Sequence, residues 1–388
     1  MSRYKGDEYY EERRGAPVYY AQDPNVEGGA AGGSTVVVEK EKSGRDLGCC
    51  TILAIVLFII LIVVVLIALL IFFVIGRPEL SKSVSTQEFL IDNAVNAGGS
   101  ASLLSAGYVE TALARNTEKI CLLDTSYLSQ DFRQHFSDSH IEGARHFIID
   151  EVIRRTPTKR RSLKHPLEFQ RYARELGVDN DCLVVVYGNE KRSIDDMKAA
   201  SYAWWLFKVY GAAKVSVMNG GIEQWKDRTV PLVSGPDDRN PDNPGDFIAR
   251  WRPEYIATFD DVVRNFETRE YKLVDSRSKA EFDGLEKSPL TPQYGRIKGA
   301  INVPTSSLLE PDGRLKNLSD LKRLFDDQGI TGSQSIIVYC NTALQAATVY
   351  YASQLLGIPG KIYDGSWVEW SKLAGNDLKV LGPGPTTA

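Results

Sequence analysis

Hydrophobic positions along the chain fall into three regimes. Over residues 1–47 no apolar period is sustained: "GDEYYEERRGAPVYYAQDPNVEGGAAGGS" mixes charges, glycines and tyrosines. Such a composition buries too little apolar surface to fold, and it predicts a disordered polar tail. Next, "CCTILAIVLFIILIVVVLIALLIFFVI" runs uncharged for about 27 residues. At 1.5 Å per residue that length exceeds the ~30 Å hydrocarbon core of a bilayer, which predicts a single transmembrane helix over residues 48–76. Residues 49–75 would then face lipid. Lys40, Lys42 and Arg45 precede it and Arg77 and Lys82 follow, a small excess that places the tail on the cytosolic side. Cys49 and Cys50 at the helix end fit either palmitoylation or two small apolar residues.

Beyond a linker over residues 77–105 the pattern becomes short β-rich runs separated by helical stretches. The runs are Leu122 to Asp124, Leu183 to Tyr187 and Val215 to Met218, then Leu273 to Asp275, Ile336 to Tyr339 and Lys361 to Tyr363. Strands alternating with helices predict the α/β class, with parallel sheets covered by helices on both faces. The order also repeats. "CLVVVYGN" is echoed by "SIIVYCN" and "GAAKVSVMNGGIEQW" by "GIPGKIYDGSWVEW", roughly 150 residues apart, the mark of a tandem duplication. This predicts a first domain over 106–233, a linker over 234–250 rich in Pro, Asp, Asn and Gly, a second domain over 251–380, and a short tail over 381–388.

Composition narrows the function. With 43% hydrophobic and 25% charged residues the chain is ordinary globular material, and a formal charge of -4 supplies no basic field, so no nucleic-acid partner is expected. Five cysteines at irregular spacing predict no disulfide framework. Four histidines, all between His135 and His165, give no zinc-like spacing, so neither a metal nor another cofactor is expected.

The candidate chemistry lies in "SIIVYCNTALQAATVYY", where Cys340 stands between an apolar strand run and an alanine-rich helix pattern. Ligands gather at the carboxyl ends of strands in such sheets. Loop amides and the positive end of the following helix would favour a thiolate there. Cysteine is also a common buried packing residue. The repeat discriminates, because the aligned position in the first copy is Gly188 in "VVVYGNEKRS".

Several motifs together resemble the tandem-domain rhodanese family, which includes thiosulfate and 3-mercaptopyruvate sulfurtransferases. They are "LVDSR" at Leu273 to Arg277, "GRIKGAINVP" at Gly295 to Pro304, the Cys340 loop, "YDGSWVEW" at Tyr363 to Trp370, and in the first half "HIEGA" and "AWWLFKVYG". The resemblance implies two rhodanese-like domains, the first silent and the second carrying the nucleophile. Cys340 would take sulfur from a small-molecule donor, become a persulfide cradled by the loop Asn341, Thr342, Ala343, Leu344, Gln345 and Ala346, and pass the sulfur to a thiol or cyanide acceptor. Against the family pattern, Ala343 replaces a glycine, Gln345 replaces a threonine, and the loop is neutral, which favours a mercaptopyruvate-like donor over thiosulfate. An arginine that the family places ahead of its tryptophan pair falls near Tyr202, so Tyr202 and Lys208 are the candidate substrate contacts from the first domain. Arg277 and Glu281 are expected to form a salt-bridged frame around the loop. A cysteine phosphatase is excluded because Ala346 holds the place of its loop arginine. The altered loop also allows an inactive rhodanese-like scaffold at a membrane.

Overall fold

The computed structural model describes residues 102–384 apart from 117, 127–130, 191–192, 227 and 238–243, together with Ile60 and Val63. Ile60 and Val63 are helical and exposed. The rest of the expected membrane helix, the polar tail and the end of the chain lie outside the described residues. Among the described residues no helix is long and apolar enough to cross a membrane.

Two five-stranded sheets form residues 102–384, and both are parallel throughout. The first contains β1 (Ser102–Leu104), β2 (Ile120–Asp124), β3 (Arg145–His146), β4 (Leu183–Tyr187) and β5 (Val215–Met218), in the order β1-β5-β4-β2-β3. The second contains β6 (Ile256–Ala257), β7 (Tyr271–Asp275), β8 (Ile301–Asn302), β9 (Ser335–Tyr339) and β10 (Gly360–Tyr363), in the order β6-β10-β9-β7-β8. The two orders are identical position by position, as a duplication requires. The strands β4 and β9 sit at the centre of each sheet and are apolar on both faces, because helices cover both.

Helices α1 (Ala106–Arg115), α2 (Phe132–Asp138), α3 (Pro166–Glu175) and α4 (Ser193–Val209) belong to the first half. Helices α5 (Phe259–Thr268), α6 (Lys279–Asp283), α7 (Leu318–Asp327), α8 (Leu344–Leu355) and α9 (Ser366–Leu373) belong to the second. The surface helices α5 and α7 begin on side-chain caps, Thr258 accepting from Asp261 N and Asn317 from Asp320 N. The helices α4 and α8 differ. Their apolar residues go all the way round, because each packs on its own sheet and on the other helix. At this seam Trp204 meets Tyr351 edge-on at 4.9 Å, and its indole N–H donates to Val215 O. One hydrophobic core therefore runs through both domains.

The strand-end aspartates hold the turns that follow them. Asp124 accepts from Ser126 N at 2.9 Å and Asp275 from Arg277 N at 3.0 Å, each closing the turn that leaves the sheet. One expectation is corrected. Cys121 in β2 is bonded to Cys182, just ahead of β4, with their Cα atoms 5.8 Å apart. The strands are neighbours, with Ile120 opposite Leu183, so lateral pairing joins cysteines whose separation of 61 residues shows no motif.

The first domain is closed at the position that mirrors Cys340. A Cβ built on Gly188 would stand 2.3 Å from the Cα of Asp196 in α4, a backbone collision that no side-chain rotation relieves. Gly188→Ala should lower unfolding stability by about 1–3 kcal/mol, the usual cost of overpacking. Chemical denaturation measures this, and an unchanged midpoint would contradict the close packing of α4 on the end of β4.

Candidate active site

The apolar run of β9 ends at Tyr339, and the chain turns through Cys340 to Ala343 before α8 starts at Leu344. The turn needs a left-handed residue, and Ala343 supplies it at φ +71°. A side chain there costs about 1–2 kcal/mol relative to a relaxed backbone. A second residue, Ser366 at φ +52°, faces it. The first-domain counterpart of Ser366 is Gly221 at φ +61°, where glycine meets the same backbone demand without strain.

The hydroxyl of Ser366 accounts for the difference. Its Oγ accepts from Cys340 N at 3.3 Å and from Ala343 N at 3.0 Å, and donates to Tyr363 O at 2.9 Å. Ser366 thus fastens from α9 the turn that leads into α8, a helix whose flanking Ala343 offers no side-chain cap. With the turn so held, Thr342 N–H donates to Cys340 Sγ at 3.3 Å. Trp367 N donates to Cys340 O at 2.8 Å and Val368 N to Asn341 O at 3.2 Å, so both sides of the turn are fastened to α9. The thiol is 1% exposed, and among the described residues it is the free cysteine.

Around the turn stands a charged frame, arranged otherwise than expected. Arg277 pairs with Asp275 through Nε and Nη2, its Nη2 also donating to Gly295 O at 2.8 Å, and it lies over the Trp367 ring at 5.3 Å. Burial works against its charge, yet Asp275 outweighs this and holds the guanidinium's pKa above its ordinary value. Glu281 instead accepts from Asn341 Nδ2 at 2.7 Å. The expected salt bridge is therefore split: Arg277 serves the strand end and Glu281 serves the loop.

The first domain reaches the loop through residues that the motif reading missed. Strand pieces Ile153–Arg154 and Ser162–Leu163 form a hairpin, and its tip carries Lys159, Arg160 and Arg161. Arg161 Nη1 donates to Thr342 Oγ1. Lys159 Nζ lies 2.8 Å from Asp364 Oδ1 and 3.9 Å from Glu369 Oε1. Burial raises the pKa of both carboxyls, and Lys159 pulls each back down. Lys372 Nζ donates to Pro157 O at 3.0 Å. The loop that reads as neutral in isolation thus meets a cation.

Tyr202 and Lys208 are not that contact. Tyr202 is fully buried in the shared core beside Trp205, with ring centroids 5.4 Å apart. Lys208 lies over the Tyr255 ring at 5.6 Å, where burial and Arg252 lower its pKa. The helix α4 spends this face on packing, which is why its cation cannot serve the loop. Within the loop, Leu344 and Ala346 pack into the core, and Gln345 gives its backbone oxygen to Thr305 Oγ1 at 3.1 Å. The Gln345 amide oxygen is buried without a hydrogen-bond partner among the described residues. Of the signals available, the "KRRS" run in a net acidic chain was the one that marked the hairpin.

The family pattern described as Rhodanese-like domain matches residues 105–228 and 258–373. The chain belongs to the rhodanese family. It is 34% identical to the 3-mercaptopyruvate sulfurtransferase of Homo sapiens over 277 residues, which is 69% of this chain and 91% of that one. The thiosulfate sulfurtransferase of Rattus norvegicus is 33% identical over 267 residues, 67% of this chain and 87% of its own length. The crystal structure of SseA from Escherichia coli, described as a 3-mercaptopyruvate sulfotransferase, superimposes with a TM-score of 0.59 at 28% identity, covering 69% of this chain and 99% of that one. This rhodanese chain thus stands among sulfurtransferase enzymes.

Two variants of Ser366 make a paired test. Ser366→Ala keeps the strained backbone and removes the hydroxyl, whereas Ser366→Gly removes both. Ser366→Ala should be the less stable by about 1–2 kcal/mol, and both should fall below the native chain because two buried amides lose their acceptor. Equal stability of the two variants, measured by urea denaturation, would contradict the strain assigned here.

Proposed function

We propose that the chain is a membrane-anchored sulfurtransferase that carries sulfane sulfur on Cys340 between a 3-mercaptopyruvate-like donor and a thiol or cyanide acceptor. The observation that carries this reading is the loop itself, a thiol at a strand end with an amide N–H on its sulfur and a first-domain guanidinium on the adjoining Thr342. The family relationship supports the reaction class. The anchor rests on the uncharged run over residues 48–76.

The chemistry runs in two halves. The Cys340 thiolate attacks the donor sulfur, an S–S bond forms, and the donor's C–S bond breaks. The electron pair leaves with the carbon as an enolate, which takes a proton to become the keto acid. Cys340 is left as a persulfide anion, stabilised by the fixed amides of the loop. An acceptor thiolate or cyanide then attacks the outer sulfur, the S–S bond breaks, and the Cys340 thiolate is restored. No oxidant is consumed. Each half leaves the enzyme in a stable covalent form, so the kinetics should be ping-pong.

Charge decides the donor class. Arg161 matches a single carboxylate on a donor of this kind. A dianion such as thiosulfate fits less well, because Glu281 lies on Asn341 and Asp364 and Glu369 engage Lys159 close by. The rival reading, an inactive scaffold, draws on the near-complete burial of Cys340.

Steady-state assays with varied 3-mercaptopyruvate and cyanide test the proposal. Parallel double-reciprocal lines are expected, with turnover lost in Cys340→Ser and the donor KM raised roughly ten- to a hundredfold in Arg161→Met, the range of one charge-assisted hydrogen bond. Turnover that survives Cys340→Ser would overturn the carrier role.

A further inference from the structure

The duplication offers an internal comparison across the domain seam. Asn219 and Asp364 occupy matching positions, each directly after the last residue of β5 or β10. Each reaches the opposite domain. Asn219 Oδ1 accepts from Leu315 N at 2.8 Å and its Nδ2 donates to Leu315 O at 3.5 Å. Leu315 is bridged to Leu309 in the second domain's counterpart of the hairpin. In the silent half, then, a neutral amide holds main chain.

In the half that carries Cys340 the same position is an aspartate, and it holds a lysine side chain. The hairpin beside the Cys340 loop is tied to the second domain by Lys159 to Asp364 and Glu369, by Arg161 to Thr342, and by Lys372 to Pro157 O. Each of these ties runs through a long side chain that can let go without unpicking a backbone ladder. Lys159 is the one of these ties that pairs opposite charges. Its side chain is 23% exposed, and the two carboxylates it bridges are 8% and 6% exposed. Loss of its charge would leave two buried acids facing each other with no cation between them.

We infer that Lys159 is a positioning residue that docks the Ile153–Leu163 hairpin on Asp364 and Glu369, closing it over Cys340 and setting Arg161 on the loop. Access to the thiol and affinity for an anionic donor are then governed by one contact in the opposite domain. The inference builds on the reading of Cys340 as the sulfur carrier, but its first test is independent of turnover.

In the full chain, the rate at which iodoacetamide alkylates Cys340 is followed by peptide mass, which separates this thiol from Cys49 and Cys50. Iodoacetamide is neutral, so it reports access rather than charge. Lys159→Met should raise the second-order rate at Cys340 about tenfold, the equivalent of 1.4 kcal/mol. With 3-mercaptopyruvate the same variant should raise KM more than it lowers kcat, and Lys159→Arg should restore both quantities towards the native values. Asp364→Asn, which removes the partner's charge with little change of shape, should speed alkylation in the same way and stands in if Lys159→Met fails to fold. Alkylation at the native rate in a folded Lys159→Met or Asp364→Asn variant would overturn the inference. If alkylation responds as expected while no sulfur is transferred, the docking role stands and the proposed reaction falls.

Discussion

The burial of α4 against α8 is the constraint on which the rest of the structure depends. Both helices carry apolar residues on every side, which is stable only where each finds a sheet on one side and a helix on the other. Trp204 on Tyr351 fixes the contact, an aromatic pair worth about 0.5–1.5 kcal/mol beyond its area. Because α8 begins where the Cys340 loop ends, the same packing that joins the domains also positions the loop. The hairpin of the first domain then falls beside the second domain's strand ends, where Lys159 meets Asp364.

On that frame the two halves diverge through a few substitutions at equivalent positions. Gly188 is pressed on Asp196, so the first strand end has no room for any side chain. Its counterpart, Cys340, opens the turn that ends at Ala343. Gly221 gives way to Ser366, which accepts an unfavourable backbone angle and in return presents a hydroxyl to two loop amides. Asn219 gives way to Asp364, and a fixed amide contact becomes an ion pair. Two strained backbone angles, at Ala343 and Ser366, accordingly fall beside the thiol, where tight ordering of amides around sulfur offsets them.

Much of this was legible from residue patterns alone. The six β-rich runs, the internal repeat and the strand-to-helix seam at Cys340 are local signals, and local signals survive in one dimension. The contacts that shape the loop are not local. Arg161 and Thr342 are 181 positions apart, and Lys159 and Asp364 are 205 apart. They meet because of the relation between the two domains, which no spacing rule carries. Tyr202 and Lys208 were drawn to the site by position in a motif, but α4 turns that face into the core. The Cys121 to Cys182 bridge escaped for a similar reason, since it joins neighbouring strands rather than neighbouring cysteines in the chain. Ala343 was readable in kind, because a side chain in place of a loop glycine signals a left-handed residue under restraint, although Ser366 as the restraint was not.

The central claim is that sulfur rests covalently on Cys340. Intact-mass analysis of the purified full chain after incubation with 3-mercaptopyruvate tests it most directly. The account predicts a gain of one sulfur atom, about 32 Da, that is reversed by added thiol and absent in Cys340→Ser. A folded chain with a free Cys340 thiol and no added mass would contradict it.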